Sequence, residues 1–148
     1  MYSGLLVTHS YLRYFILIML IIVIVMSLIG LVNKKPYTKT HDKTGLFLFI
    51  CTHIQLLLGI ILYIVSYTSG GRVQFNSETM KNAALRYFAV EHGLTMLIAV
   101  VFITLARTGA KKLAVDQAKH RRLFIFNLIA LIIIIGTVYG LGGGYNTY

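Results

Sequence analysis

An all-α, membrane-embedded four-helix bundle, its helices running alternately up and down, is the fold this sequence predicts. Three observations predict it: four long apolar stretches, connections too short to form a soluble domain, and basic residues gathered in alternate loops. Of 148 residues 57% are hydrophobic and the mean hydropathy is +0.79, outside the range of soluble globular domains. The stretches are Tyr14–Val32, Leu46–Tyr67, Ala83–Ala106 and Leu123–Leu141. Each is close to the ~20 residues that carry a helix across a bilayer. With their flanks they predict helices over residues 6–33, 44–68, 83–107 and 118–141, in one transmembrane domain spanning 1–148.

The first stretch is too long for a signal peptide, lacks a basic start and has no small-residue cleavage site after it, so it is expected to remain in the mature chain. All four runs are continuous rather than alternating, which excludes barrel strands. The second run holds Cys51, the only cysteine. One cysteine excludes an internal disulfide, a zinc ribbon, an iron–sulfur cluster and covalent haem attachment through Cys-x-x-Cys-His. The fourth run closes on Gly140-Leu141-Gly142-Gly143-Gly144, which is expected to end the helix and open a flexible tail.

Charge sets the expected orientation. The first loop carries Lys34, Lys35, Lys39 and Lys43; the third carries Arg107, Lys111, Lys112, Lys119, Arg121 and Arg122. The middle loop and its flanks have only Arg72, Lys81 and Arg86. Loops one and three are therefore expected in the cytoplasm and both termini outside. Tyrosine agrees: Tyr2, Tyr11, Tyr14, Tyr63, Tyr67, Tyr87, Tyr139, Tyr145 and Tyr148 fall toward the outer side, as in an aromatic belt, and only Tyr37 falls inside. The net charge of +10 lies mostly in these juxtamembrane loops, which points to anionic lipid and topogenesis and away from nucleic acid.

Polar residues within the runs are costly in lipid and mark candidate function. Each predicted helix carries a histidine: His9, His53, His92 and His120. His41 lies in the first loop. Helical rise places Glu91 and His92 roughly 10 Å below the outer boundary, level with Arg13, so an Arg13–Glu91 ion pair is expected. Helices one and three are diagonal in such a bundle, as are two and four. His9 with His92 then forms an outer cross-bundle pair and His53 with His120 an inner one. The inner pair differs in depth by on the order of 10 Å, and His53 with His92 on neighbouring helices is the single-site alternative. Two imidazoles facing across a bundle are what a six-coordinate haem iron needs, with Arg13 near a propionate; one or two non-covalent haem b groups are expected.

A plainer role stands beside each. Lone membrane histidines often bond only a neighbouring helix, Arg13 can snorkel to the interface, and Met19, Met26 and Met96 suit packing.

The elements Thr8-His9-Ser10-Tyr11-Leu12-Arg13-Tyr14, Thr52-His53-Ile54-Gln55-Leu56-Leu57-Leu58-Gly59, Val90-Glu91-His92-Gly93 and Lys119-His120-Arg121-Arg122, with the Lys34-Lys35-Pro36 loop, resemble those of small four-helix bacterial membrane proteins labelled cytochrome b-like. The resemblance covers nearly the whole chain. It implies a non-covalent b-type haem and electron transfer in a bacterial inner membrane. A quinol or a membrane respiratory complex is the partner to expect. Two rival expectations come from other classes: a proton-coupled transporter relaying through Glu91, His92 and His53, and a non-catalytic subunit or assembly factor of a larger membrane complex.

Overall fold

The computed structural model describes residues 1–141. The glycine-rich tail expected after Leu141, with Tyr145 and Tyr148, lies outside them. Four long helices carry the fold: helix one Tyr2–Val32, helix two Lys39–Thr68, helix three Ala83–Lys112 and helix four Asp116–Leu141. All four are long and apolar enough to cross a membrane. A short helix, Ser77–Lys81, sits in the connection between helices two and three. Helix one packs against two and four, and helix three also against two and four, which leaves one and three diagonal. We call the end that carries the N-terminus the terminal end and the opposite one the basic end.

The helices are longer than the apolar runs because their caps lie outside them. Helix one ends in a Schellman turn. Lys34 takes a left-handed backbone (φ 50°), and Lys35 N–H bonds the Gly30 carbonyl at 2.9 Å. Pro36 follows and cannot extend the helix. A side chain at Lys34 is strained there, so Lys34→Gly is expected to stabilise the fold by about 0.5–1 kcal/mol, read from thermal unfolding in detergent. Helix two starts at Lys39, five residues before the expected 44. The Thr38 N–H donates to His41 Nδ1 at 3.2 Å, so a histidine does the work a glutamate does in a capping box. Helix three starts where expected, under the Asn82 side chain, which accepts from the Ala84 and Leu85 N–H groups. It runs five residues past the expected 107.

Helices three and four each contain a wide π turn, at Tyr87–Glu91 and at Gly136–Leu141, and the two turns touch at the terminal end. The interior is built of small and polar residues as much as large ones: Gly30, Ala99, Ala106, Ala110, Ala130, Ser27, Thr52 and Asn127 are buried. Leu20, Leu48 and Ile103 fill the centre. The outside is the more apolar surface, with Ile18 58%, Leu57 61% and Ile132 63% exposed. Close small-residue packing inside and bare aliphatic side chains outside is the arrangement expected where lipid replaces water.

At the basic end Arg107 is buried. Its Nη1 donates to the Asp42 carbonyl at 2.8 Å and stands 3.3 Å from the Asp42 carboxylate. It thus ties the first turn of helix two to helix three. Sequence alone marks it as one more loop cation.

Candidate functional site

His9 and His92 meet at the terminal end, with ring centroids 6.4 Å apart and planes at 65°. Helix one brings His9. The π turn of helix three brings His92, its first residue after the turn. A five-residue separation does not put two side chains on one face of an α-helix, but a π turn, with its wider loop of backbone, does. Two such pairs form here. The Tyr87 hydroxyl lies 3.2 Å from His92 Nδ1, and Arg86 Nε donates to Glu91 Oε1 at 2.8 Å. Tyr87 is fully buried, so it fixes one edge of the His92 ring and leaves Nε2 for another partner. Arg86 also bonds the Met80 carbonyl.

The expected Arg13–Glu91 ion pair is therefore corrected: the carboxylate of Glu91 is held by Arg86. Arg13 turns to Tyr14, donating to its hydroxyl at 3.1 Å with the guanidinium 4.8 Å from the ring centre. Arg13 Nε is buried without a hydrogen-bond partner. The π turn brings Glu91 to Arg86, five residues back on the same helix.

Helix two closes the site. Gln55 Nε2 donates to the His9 carbonyl at 2.9 Å, and a Cβ at Gly59 would stand 3.4 Å from His9 Cε1. The Tyr63 hydroxyl donates to the Ala89 carbonyl at 2.7 Å, inside the π turn. That bond ties helix two to helix three beside His92. Tyr63→Phe removes this bond between the helices and is expected to destabilise the fold by about 0.5–1.5 kcal/mol, measured by thermal unfolding against wild type.

A cavity of about 320 Å³ opens below the two rings, lined by His9, Arg13, Thr52, Gln55, Gly59 and His92 with aliphatic side chains from all four helices. This is the lower end of the size range for small-molecule and cofactor sites. A second cavity of about 110 Å³ shares His9, Arg13, Gly59 and His92 and reaches Tyr2 and Arg72 at the surface. Among the described residues, no three His, Cys, Asp or Glu side chains converge as a metal site.

The expected inner pair is not assembled. His53 donates from Nδ1 to its own helix, to the Phe49 carbonyl at 2.7 Å, and packs on the Phe49 ring. It does not line the cavity beside His92 either. His120 is fully buried at the basic end, where Nε2 donates to the Lys35 carbonyl at 3.1 Å. Its ring neighbours are His41, with centroids 4.9 Å apart, and Tyr37 at 5.6 Å. Burial and then the Asp42 carboxylate push the Tyr37 phenol above its ordinary range, with Arg107 pulling the other way. His41, which had seemed a plain loop residue, is thus both a helix cap and the partner of His120.

Compared with known protein families, characterised proteins and solved structures, the chain matches none. What the structure defines is a class: an all-helical protein, over its described residues, with four helices long and apolar enough to span a membrane. Among the described residues, His9 and His92 are brought together and line a common cavity.

Proposed function

We propose that the chain is a multi-pass protein of the bacterial inner membrane, both termini outside, that holds one non-covalent haem b between His9 and His92 and transfers electrons. The 6.4 Å between the two rings carries this reading. Two imidazoles bound to one metal from opposite sides stand with centroids about 6 Å apart, a metal–nitrogen distance of about 2 Å on each side plus the two ring radii. Both rings line the same largely apolar cavity, which would help to accommodate an apolar group held between them, and a haem needs only two protein ligands. The lone Cys51 leaves no covalent attachment site.

The residues around the pair fit the task. Tyr87 and Gln55 fix His92 and the His9 backbone, Gly59 keeps room beside the His9 ring, and Arg13 brings a positive charge to the cavity mouth. When bound, haem supplies a one-electron carrier whose potential the apolar bundle tunes. A quinol is the donor or acceptor that the lipid phase offers, either directly or within a larger membrane complex. The rival transporter relay loses support, because Arg86 holds Glu91 and His53 stands away from the cavity.

The test is purification in mild detergent with oxidised and dithionite-reduced spectra and a pyridine haemochrome assay. About one b-type haem per chain is expected. Folded protein without haem, made with adequate haem supply, would overturn the reading. A reporter fused to the C-terminus and found in the cytoplasm would overturn the orientation.

A further inference from the structure

We propose that the small cavity at the terminal end is a carboxylate subsite, where Arg13 and Arg72 hold the acid group of an amphipathic ligand whose apolar part enters the larger cavity. Two arginines, one on helix one and one on the connection between helices two and three, line this space of about 110 Å³. Among the described residues, no Asp or Glu lines it or the larger cavity. The four acids of the chain are placed elsewhere. Glu91 is bound by Arg86 and Asp42 by Arg107, while Glu78 and Asp116 stand in the first turns of the short helix and of helix four. Two cations on one small space without an anion call for a negative charge from a ligand.

Arg13 lies one turn beyond His9 on helix one. It gives one N–H to the Tyr14 hydroxyl, and its Nε is buried without a partner, so donors remain on its guanidinium fork. Arg72 is placed by the fold of its own segment. The Gly71 N–H donates to the Ser66 carbonyl at 2.7 Å, and the Val73 N–H donates to the Ser66 hydroxyl at 3.2 Å. A Cβ at Gly71 would stand 2.6 Å from that hydroxyl oxygen and 3.0 Å from the carbonyl, so this close return onto helix two needs glycine. Val73 is buried. Arg72 is thus set between two fixed residues, with its guanidinium carbon 5.1 Å from the centre of the Phe88 ring in the π turn. Stacking engages the face of a guanidinium, whereas a carboxylate is taken by its edge.

The two cavities share His9, Arg13, Tyr63, Phe88 and His92, so the arginines stand at the polar end of a mostly aliphatic space. An acid group bound there leaves the rest of the ligand against apolar walls, and a body that matches those walls is apolar too. Two ligands present this chemistry. One is haem, through its propionates; in that case the subsite rests on the reading proposed above and adds Arg72 to it. The other is a long-chain carboxylate, which needs neither metal nor histidine ligation.

The experiment titrates the full chain in mild detergent with two pairs of probes: haem b against its dimethyl ester, read by absorption, and cis-parinaric acid against its methyl ester, read by fluorescence. In at least one pair the acid is expected to bind about tenfold tighter than the ester or better, the scale of one charge-assisted pair. Arg72→Gln is expected to remove most of that preference, and Arg13→Gln to act in the same direction. Arg72 is exposed, so its replacement spares the packed interior; matching circular dichroism checks this. No acid preference in either pair, or a preference unchanged in Arg72→Gln, overturns the proposal. The same titrations separate it from the haem reading. A preference for parinaric acid in protein that takes up no haem overturns the haem reading alone. Haem taken up with no acid preference in either pair overturns the carboxylate subsite alone.

Discussion

His92→Ala and His9→Ala are each expected to lower haem content at least tenfold in protein that remains folded, and His53→Ala to leave it unchanged. The contrast follows from geometry rather than from residue type. His9 and His92 face one cavity from diagonal helices, 6.4 Å apart. His53 is as deep in the sequence pattern as His92, yet its ring bonds the carbonyl four residues back on its own helix. Removing either member of the pair leaves a site with one imidazole, and ligation from two histidines is lost. An alanine at 92 also leaves space of about the imidazole's size, so free imidazole in solution is expected to restore part of the spectrum of His92→Ala. Haem retained in both alanine variants, or lost in His53→Ala, would show that the pair is not the binding site. Pyridine haemochrome per chain and the reduced spectrum decide it.

Much of this site was legible because depth is legible. Helical rise along apolar runs puts His9, Arg13, Glu91 and His92 at one end, and diagonal pairing of helices one and three brings the two histidines together. What stayed hidden depends on where the helix departs from 3.6 residues per turn. No residue in Tyr87-Phe88-Ala89-Val90-Glu91 announces a π turn, and on a regular helix neither Arg86 with Glu91 nor Tyr87 with His92 shares a face. Glu91 was therefore assigned to Arg13. The basic end was hidden for another reason. Composition marks Arg107 and His120 as juxtamembrane polar residues, the sort that hydration normally claims. Their burial follows from close packing at Gly30, Gly45 and Ala106, where small residues let backbones approach and long side chains fold inward. Hydropathy averages over such positions.

That packing carries the second large effect. Gly30→Ala is expected to destabilise the protein by about 1–3 kcal/mol through overpacking, although alanine favours a helix more than glycine does. A Cβ at this position would lie 2.6 Å from both His120 Nδ1 and Nε2. The ring has no room to retreat: it is fully buried, held by the Lys35 carbonyl and backed by His41 and Tyr37. Moving it would also break the bond that ties helix four to the end of helix one. Gly109 gives the control. A Cβ there would run into the Arg122 guanidinium, the far end of a flexible chain whose bond to the Leu105 carbonyl is exposed. Gly109→Ala is accordingly expected to change stability by less than about 1 kcal/mol, with helix propensity offsetting the lost bond. The decisive comparison is a double-mutant cycle with His120→Ala. If the ring is the obstacle, Gly30→Ala loses most of its cost in the His120→Ala background, as coupled neighbours do. Equal costs in both backgrounds, read from thermal unfolding in the same detergent, would mean that Gly30 is constrained by helix one against helix four and not by the histidine.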